Sequence, residues 1–161
     1  MIPRYTRPEM GRIWSDQNKF QQWLEVELAA SEALAQLGVV PVEAARLLRQ
    51  HAGFNVERIN EIENTVKHDV IAFNTAVAES MAASGHGDVS RWFHYGLTSN
   101  DVVDTAQALL LQQASAILLS DLEDLRDVLK RRALEFKHTV QIGRTHGVHA
   151  EPITFGLKLA I

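Results

Sequence analysis

From about Asp101 to about Lys137 the chain carries one apolar stripe at helical spacing. Val103, Ala106, Leu110 and Ile117 open it. Leu118, Leu122, Leu125, Leu129, Arg132 and Phe136 continue it at near-heptad intervals. At 1.5 Å per residue such a helix is roughly 55 Å long, well beyond the mean of about 11–12 residues. A helix of that length is marginal without neighbours packed along it, so the spacing predicts an all-α helical bundle. Asp121, Glu123, Asp124, Arg126, Asp127, Lys130 and Arg131 fall off the stripe and read as its solvated face.

The preceding residues also read as helices. Ser15 or Asp16 offers an N-cap oxygen, and Phe20, Trp23, Leu24, Leu28, Leu34 and Leu37 follow three or four apart in most steps. Gly38 and Pro41 end that helix. A shorter one is predicted from Val42 to His51. Asn55 caps a third, with Val56, Ile59, Ile62 and Val66 on one face, and a fourth begins near Asp69 with Val70, Phe73, Val77 and Met81. Residues 1–100 are thus expected to form a small helical domain, and 101–161 the incomplete start of a central bundle. The segment Thr139 to Glu151 reads as a polar, glycine-bracketed loop, and Pro152 as the first residue of a last helix. That helix stops at Ile161 with no capping glycine and no basic last turn, so the chain is expected to continue.

Composition narrows the function classes. The 161 residues hold 16 Lys+Arg against 20 Asp+Glu, a net charge of −4, which is no footprint for nucleic acid. No unbroken apolar run approaches the ~20 residues of a membrane span, and Met1 to Tyr5 lacks the apolar core of a signal peptide. With no cysteine, disulfides and thiolate-held metals are out of reach, and a cytoplasmic location is expected.

Three segments hold polar residues that the stripes do not need: Lys67-His68-Asp69, His94 through Asp101, and Arg144 through His149. All lie at joins between helices, where catalytic groups concentrate. His146 and His149 form a His-x-x-His pair, but zinc usually takes three or four ligands and the other histidines are scattered, so no metal is assigned. His146 taken alone reads as well as a core histidine. Its neighbours favour chemistry. Gly143 and Gly147 allow a tight turn, Arg144 offers a fork for a carboxylate or phosphate, Thr145 a hydroxyl, and His146 a proton near neutral pH. Thr98 and Ser99 at a helix start suit an anion, or serve simply as the cap. Lys67-His68-Asp69 alone reads as a helix-terminal charge cluster.

The stretch His94-Tyr95-Gly96-Leu97-Thr98-Ser99-Asn100-Asp101-Val102 resembles a signature of the fumarase/aspartase superfamily. Gly143-Arg144-Thr145-His146-Gly147-Val148-His149-Ala150-Glu151-Pro152 resembles a second. Arg4-Tyr5, Arg7-Pro8-Glu9-Met10 and Lys67-His68-Asp69-Val70 are similar to the adenylosuccinate lyase family, and the likeness covers the whole chain. It implies β-elimination of fumarate from adenylosuccinate, giving AMP, and from the succinyl-carboxamide intermediate of purine synthesis.

By the same resemblance His146 is the general acid. Lys67, His68 and Asp69 contact substrate, Thr98 and Ser99 bind a carboxylate of the succinyl part, and Arg4 and Tyr5 hold the nucleotide part. His94, Arg144, Thr145 and His149 support. The resemblance implies small-molecule substrates, no cofactor, no nucleic-acid or membrane partner, and a homotetramer at full length. The family's serine base, in a Gly-Ser-Ser-rich loop, has no counterpart in these residues, so the 161-residue chain by itself is expected to be inactive. The other readings are a non-catalytic helical module on the same scaffold, and a sister lyase such as argininosuccinate lyase or a cycloisomerase. Arg4-Tyr5 and Lys67-His68-Asp69 speak against the sister enzymes.

Overall fold

A computed structural model describes residues 2–161. Two compact units divide it, one up to Ala114 and one from Ser115 to Ile161. The first holds α1 (Pro8–Ile13), α2 (Asp16–Gln36), α3 (Val42–His51), α4 (Val56–Val66), α5 (Asp69–Ala83) and the opening turns of α6 (Ser99–Glu135). Short 3₁₀ turns cover Pro3–Tyr5 and Gly87–Trp92. The second holds the rest of α6, a hairpin of β1 (Val140–Thr145) and β2 (Val148–Thr154), and α7 (Phe155–Ala160).

Local chemistry sets most of the helix ends. Ser15 Oγ accepts from the Asn18 amide at 3.2 Å and Asn55 Oδ1 from the Arg58 amide at 2.9 Å, each meeting an amide that the first turn leaves unpaired. α2 ends on Gly38 at φ +73, with the Gly38 amide on the Ala35 carbonyl and the Val39 amide on that of Leu34. This is the paired closure of a left-handed glycine cap. Gly85, at φ +84, closes α5 in the same way through Ala82 and Met81.

The core of the first unit is built around Phe73 of α5. Its ring centroid lies 5.8 Å from Phe20, 5.6 Å from Trp23, 6.0 Å from Phe54 and 6.0 Å from Phe93. Edge-on and stacked contacts of this kind add to the area buried. Val70, Val77 and Met81 of the same helix complete it, with Leu48, Ile59 and Val102 from three others. Asn18 Nδ2 donates to Gln113 Oε1 at 2.9 Å, a further tie between α2 and the first half of α6.

Three features were not read from the sequence. Pro8–Ile13 is helical, with proline in the first turn where its missing amide costs nothing. The predicted loop from Thr139 to Glu151 is largely a hairpin, with Val140 opposite Thr154 and Thr145 opposite Val148. Pro152 therefore sits in β2, and the last helix begins at Phe155, capped by Thr154 Oγ1 on the Leu157 amide at 3.3 Å. The strands escaped notice because their alternating runs, Val140-Gln141-Ile142 and Val148-His149-Ala150-Glu151, are short, and Val140, Ile142 and Val148 are exposed, so no buried apolar face reinforces the pattern. Finally, α6 is by length and composition alone long and apolar enough to cross a membrane, which a search for an unbroken apolar run does not register. The same description fits the central helix of a bundle.

Candidate active site

The three polar segments occupy three joins. Lys67 ends α4 in the left-handed region, φ +55, its amide on the Glu63 carbonyl at 2.8 Å. That reversal lets His68 cap α5: Nδ1 accepts from the Ile71 amide at 3.4 Å. A ring nitrogen that accepts is unprotonated, so the proton of a neutral His68 is on Nε2. Asp69 accepts from the Val70 amide through Oδ1, at 2.8 Å, and that oxygen is 3.6 Å from His68 Nδ1. The cluster thus caps the helix, as its residues alone suggest, and leaves the Lys67 side chain exposed.

The second segment runs from His94 into α6. His94 has φ +60 and Gly96 φ +76, so the loop doubles back twice. Asp101 Oδ2 accepts from the Thr98 amide at 2.8 Å, and the Asp101 amide bonds the Thr98 carbonyl at 3.0 Å. Asp101 thus reaches back to close the helix start in the manner of a capping box. Thr98 is exposed and Ser99 half-buried at the N-terminus of a helix whose dipole favours anions.

The third segment is the hairpin. Two residues, His146 at φ +46 and Gly147 at φ +76, join the strands, and positive φ at both is what a tight two-residue hairpin turn demands. His146 therefore stands at the tip, exposed. Arg144 and His149 pair directly across the ladder. Gly143 is the irregularity in β1, and a side chain there would meet the Glu151 carbonyl oxygen at 2.6 Å. Its glycine is thus a packing requirement of the hairpin. Arg4 and Tyr5 lie in the first 3₁₀ turn, the Arg4 guanidinium 4.8 Å from the centre of an exposed Tyr5 ring.

Arg4, Tyr5, Lys67, His68, Asp69, His94, Thr98 and Ser99 belong to the first unit, and Arg144, Thr145, His146 and His149 to the second. Within the first, the loop brings His94 into one turn with Thr98 and Ser99. Within the second, the ladder pairs Arg144 with His149. A groove of 610 Å³ is lined by Leu122, Leu125, Leu129, Leu159 and Ile161 among others and contains none of the motif residues.

One buried polar partner of the motif residues lies outside the motifs. Glu27, on the core face of α2, is fully buried, and its Oε1 is 2.6 Å from His94 Nδ1. Burial pushes its carboxyl above the usual carboxylate range, opposed by the hydrogen bond from His94. One turn further on, buried Ser31 donates to the Trp92 carbonyl at 3.4 Å. The signal was present: Glu27 and Ser31 follow Trp23 at i+4 and i+8, polar residues on an apolar stripe.

A mostly helical scaffold with three polar joins, one of them carrying a histidine at a hairpin tip, defines a class, and the sequence profile of the lyase family matches residues 4–161. The chain belongs to that family. It is 58% identical over its full length to the adenylosuccinate lyase of Bacillus subtilis, and 52% identical over 160 residues to that of Streptococcus mutans, spanning 36% of each. It thus spans about a third of the length of the curated relatives it matches. Solved structures agree on the fold. A fumarate lyase from Mesorhizobium matches at TM-score 0.83 and 29% identity, over 94% of this chain and 35% of that one. A 3-carboxy-cis,cis-muconate lactonizing enzyme from Pseudomonas putida matches at 0.87 and 32%, over 97% and 36%.

Proposed function

We propose that this chain is the part of an adenylosuccinate-cleaving enzyme that carries its general acid. The observation behind the reading is backbone strain. Among the described residues, three non-glycine residues have positive φ, and they are Lys67, His94 and His146. One falls in each motif. Left-handed conformations cost such residues about 1–3 kcal/mol and collect at functional sites. The identity to adenylosuccinate lyases supports the choice of substrate, since the shared fold also serves lactonizing enzymes.

In this reading a base removes the proton from the carbon next to a carboxylate, the carbon–nitrogen bond breaks, and fumarate leaves. His146 protonates the departing nitrogen, which is otherwise a poor leaving group. Thr98 and Ser99 hold a carboxylate of the succinyl part, where donors stabilise the carbanion by fixed electrostatics. Lys67, His68 and Asp69 contact the substrate, Arg4 and Tyr5 the nucleotide part, and His94, Arg144, Thr145 and His149 support. The succinyl-carboxamide ribotide is the second substrate. The base is absent from these residues, so the 161-residue chain alone is inactive, and the full-length protein is a cytoplasmic homotetramer. The test is fumarate release from adenylosuccinate and from the succinyl-carboxamide ribotide by the full-length protein. Release from neither overturns the reading.

A further inference from the structure

Core packing alone gives no reason for a glutamate at position 27. Glu27 occupies a core position among Trp23, Leu24 and Leu28, all buried. Removing a carboxylate from water is expensive, and an apolar side chain of similar volume at such a position is often neutral or stabilising. Among the described residues Oε1 meets His94, and Oε2 is buried without a partner. The carboxylate therefore serves one group, a ring nitrogen 67 residues away in sequence, on a residue held at φ +60. Ser31, on the same face, ties the Trp92 carbonyl just before it. α2 thus grips the signature loop at two polar points from inside the core.

We propose that Glu27 is a positioning residue, fixing His94 by its Nδ1 so that the Nε2 edge of the ring faces an anionic group of the substrate. Nδ1–H donates to the Glu27 carboxylate. The ring is only about a quarter exposed, 24% of its side chain, so it has little freedom to turn over. With Nδ1 committed to Glu27, Nε2 is the ring nitrogen left to meet the substrate, and a ring that carries both protons donates from Nε2–H to a carboxylate or phosphate oxygen. The assignment of the anion to substrate rests on the lyase reading above.

The test compares Glu27→Met and Glu27→Gln with wild type in the full-length protein. Met fills the volume without accepting a hydrogen bond, whereas the Gln oxygen still accepts from Nδ1. We expect Glu27→Met to unfold no earlier than wild type yet to raise KM for adenylosuccinate about tenfold or more, with kcat falling less, and Glu27→Gln to recover part of the loss. ¹⁵N NMR of the histidine rings should show His94 protonated at Nδ1 in wild type and released in Glu27→Met. A wild-type KM in Glu27→Met, or an unprotonated Nδ1 in wild type, overturns the proposal. Should Glu27→Met not fold, the wild-type NMR signature and the Glu27→Gln kinetics decide. A wild-type protein that releases no fumarate overturns the lyase reading instead, and the NMR signature still decides whether Glu27 fixes the ring.

Discussion

Arg144 and His149 face each other directly across the hairpin, one pair back from the Thr145–Val148 pair that closes the turn. Side chains at directly opposed positions project to the same face of a ladder. The guanidinium and the imidazole therefore share one side of the hairpin, with His146 beyond them at the tip. That arrangement gives His146 and His149 different stations, and different consequences when they are removed.

His146→Ala in the full-length protein should lower kcat by about 10² or more, with substrate affinity falling less, because a general acid contributes roughly 10²–10⁴-fold. His149→Ala should cost far less. Steady-state kinetics separating kcat from affinity check both. A near-normal kcat in His146→Ala defeats the acid assignment.

Gly143→Ala and Gly156→Ala should each destabilise the second unit. The added carbon at 143 meets the Glu151 carbonyl oxygen at 2.6 Å, and at 156 it meets the Lys137 backbone at 2.7 Å. Neither neighbour is the free end of a side chain, so the backbone has to shift, at about 1–3 kcal/mol. Faster amide exchange across Val140–Thr154, with the first unit unchanged, is the expected readout.

Phe73→Ala should cost about 3–5 kcal/mol, since it leaves a cavity where four aromatic rings converge on a fully buried side chain. Urea unfolding measures it, and a loss below about 1 kcal/mol would mean the core closes over the gap.

Arg49 bonds Glu32 at 2.7 Å and Glu25 at 2.6 Å, joining α3 to α2. Its hydrogen bond holds the Glu32 carboxyl below the usual value of 4.5, against a smaller opposing effect of burial. A depressed folded pKa adds stability above the unfolded value, and that stability is lost as pH falls through the folded one. Arg49→Met should therefore flatten the acid side of the stability profile below about pH 4.5. More than a third of each side chain is exposed, so solvent screening limits the loss near neutrality to at most about 1 kcal/mol. Unfolding curves at acid and neutral pH, in low and high salt, check the sign.

The row of leucines on the second half of α6, among them Leu118, Leu119, Leu122, Leu125 and Leu134, is exposed in the chain taken alone. An apolar face of that extent favours association. Sedimentation of the 161-residue chain should show oligomers growing with concentration, and a clean monomer throughout would contradict it.

Periodicity and capping are short-range codes, so the sequence by itself determined α2 to α6. Ser15, Asn55, Gly38 and Gly85 end helices through atoms a few residues away, and the stripes of Phe20, Phe73 and Leu110 name the face that is buried. The three polar joins were legible for the same reason: they are what remains once the stripes are accounted for. Two things were not. The hairpin is held by ladder hydrogen bonds between mostly exposed strands whose alternating runs are only three or four residues long, so its side-chain pattern announces it weakly, and it moves His146 from a loop to the tip of a turn. Glu27 gains its meaning from a histidine 67 residues away. Only the packing of α2 beneath the signature loop sets that carboxylate against that ring, because burial and long-range contact are properties of the folded chain and of no local stretch of it.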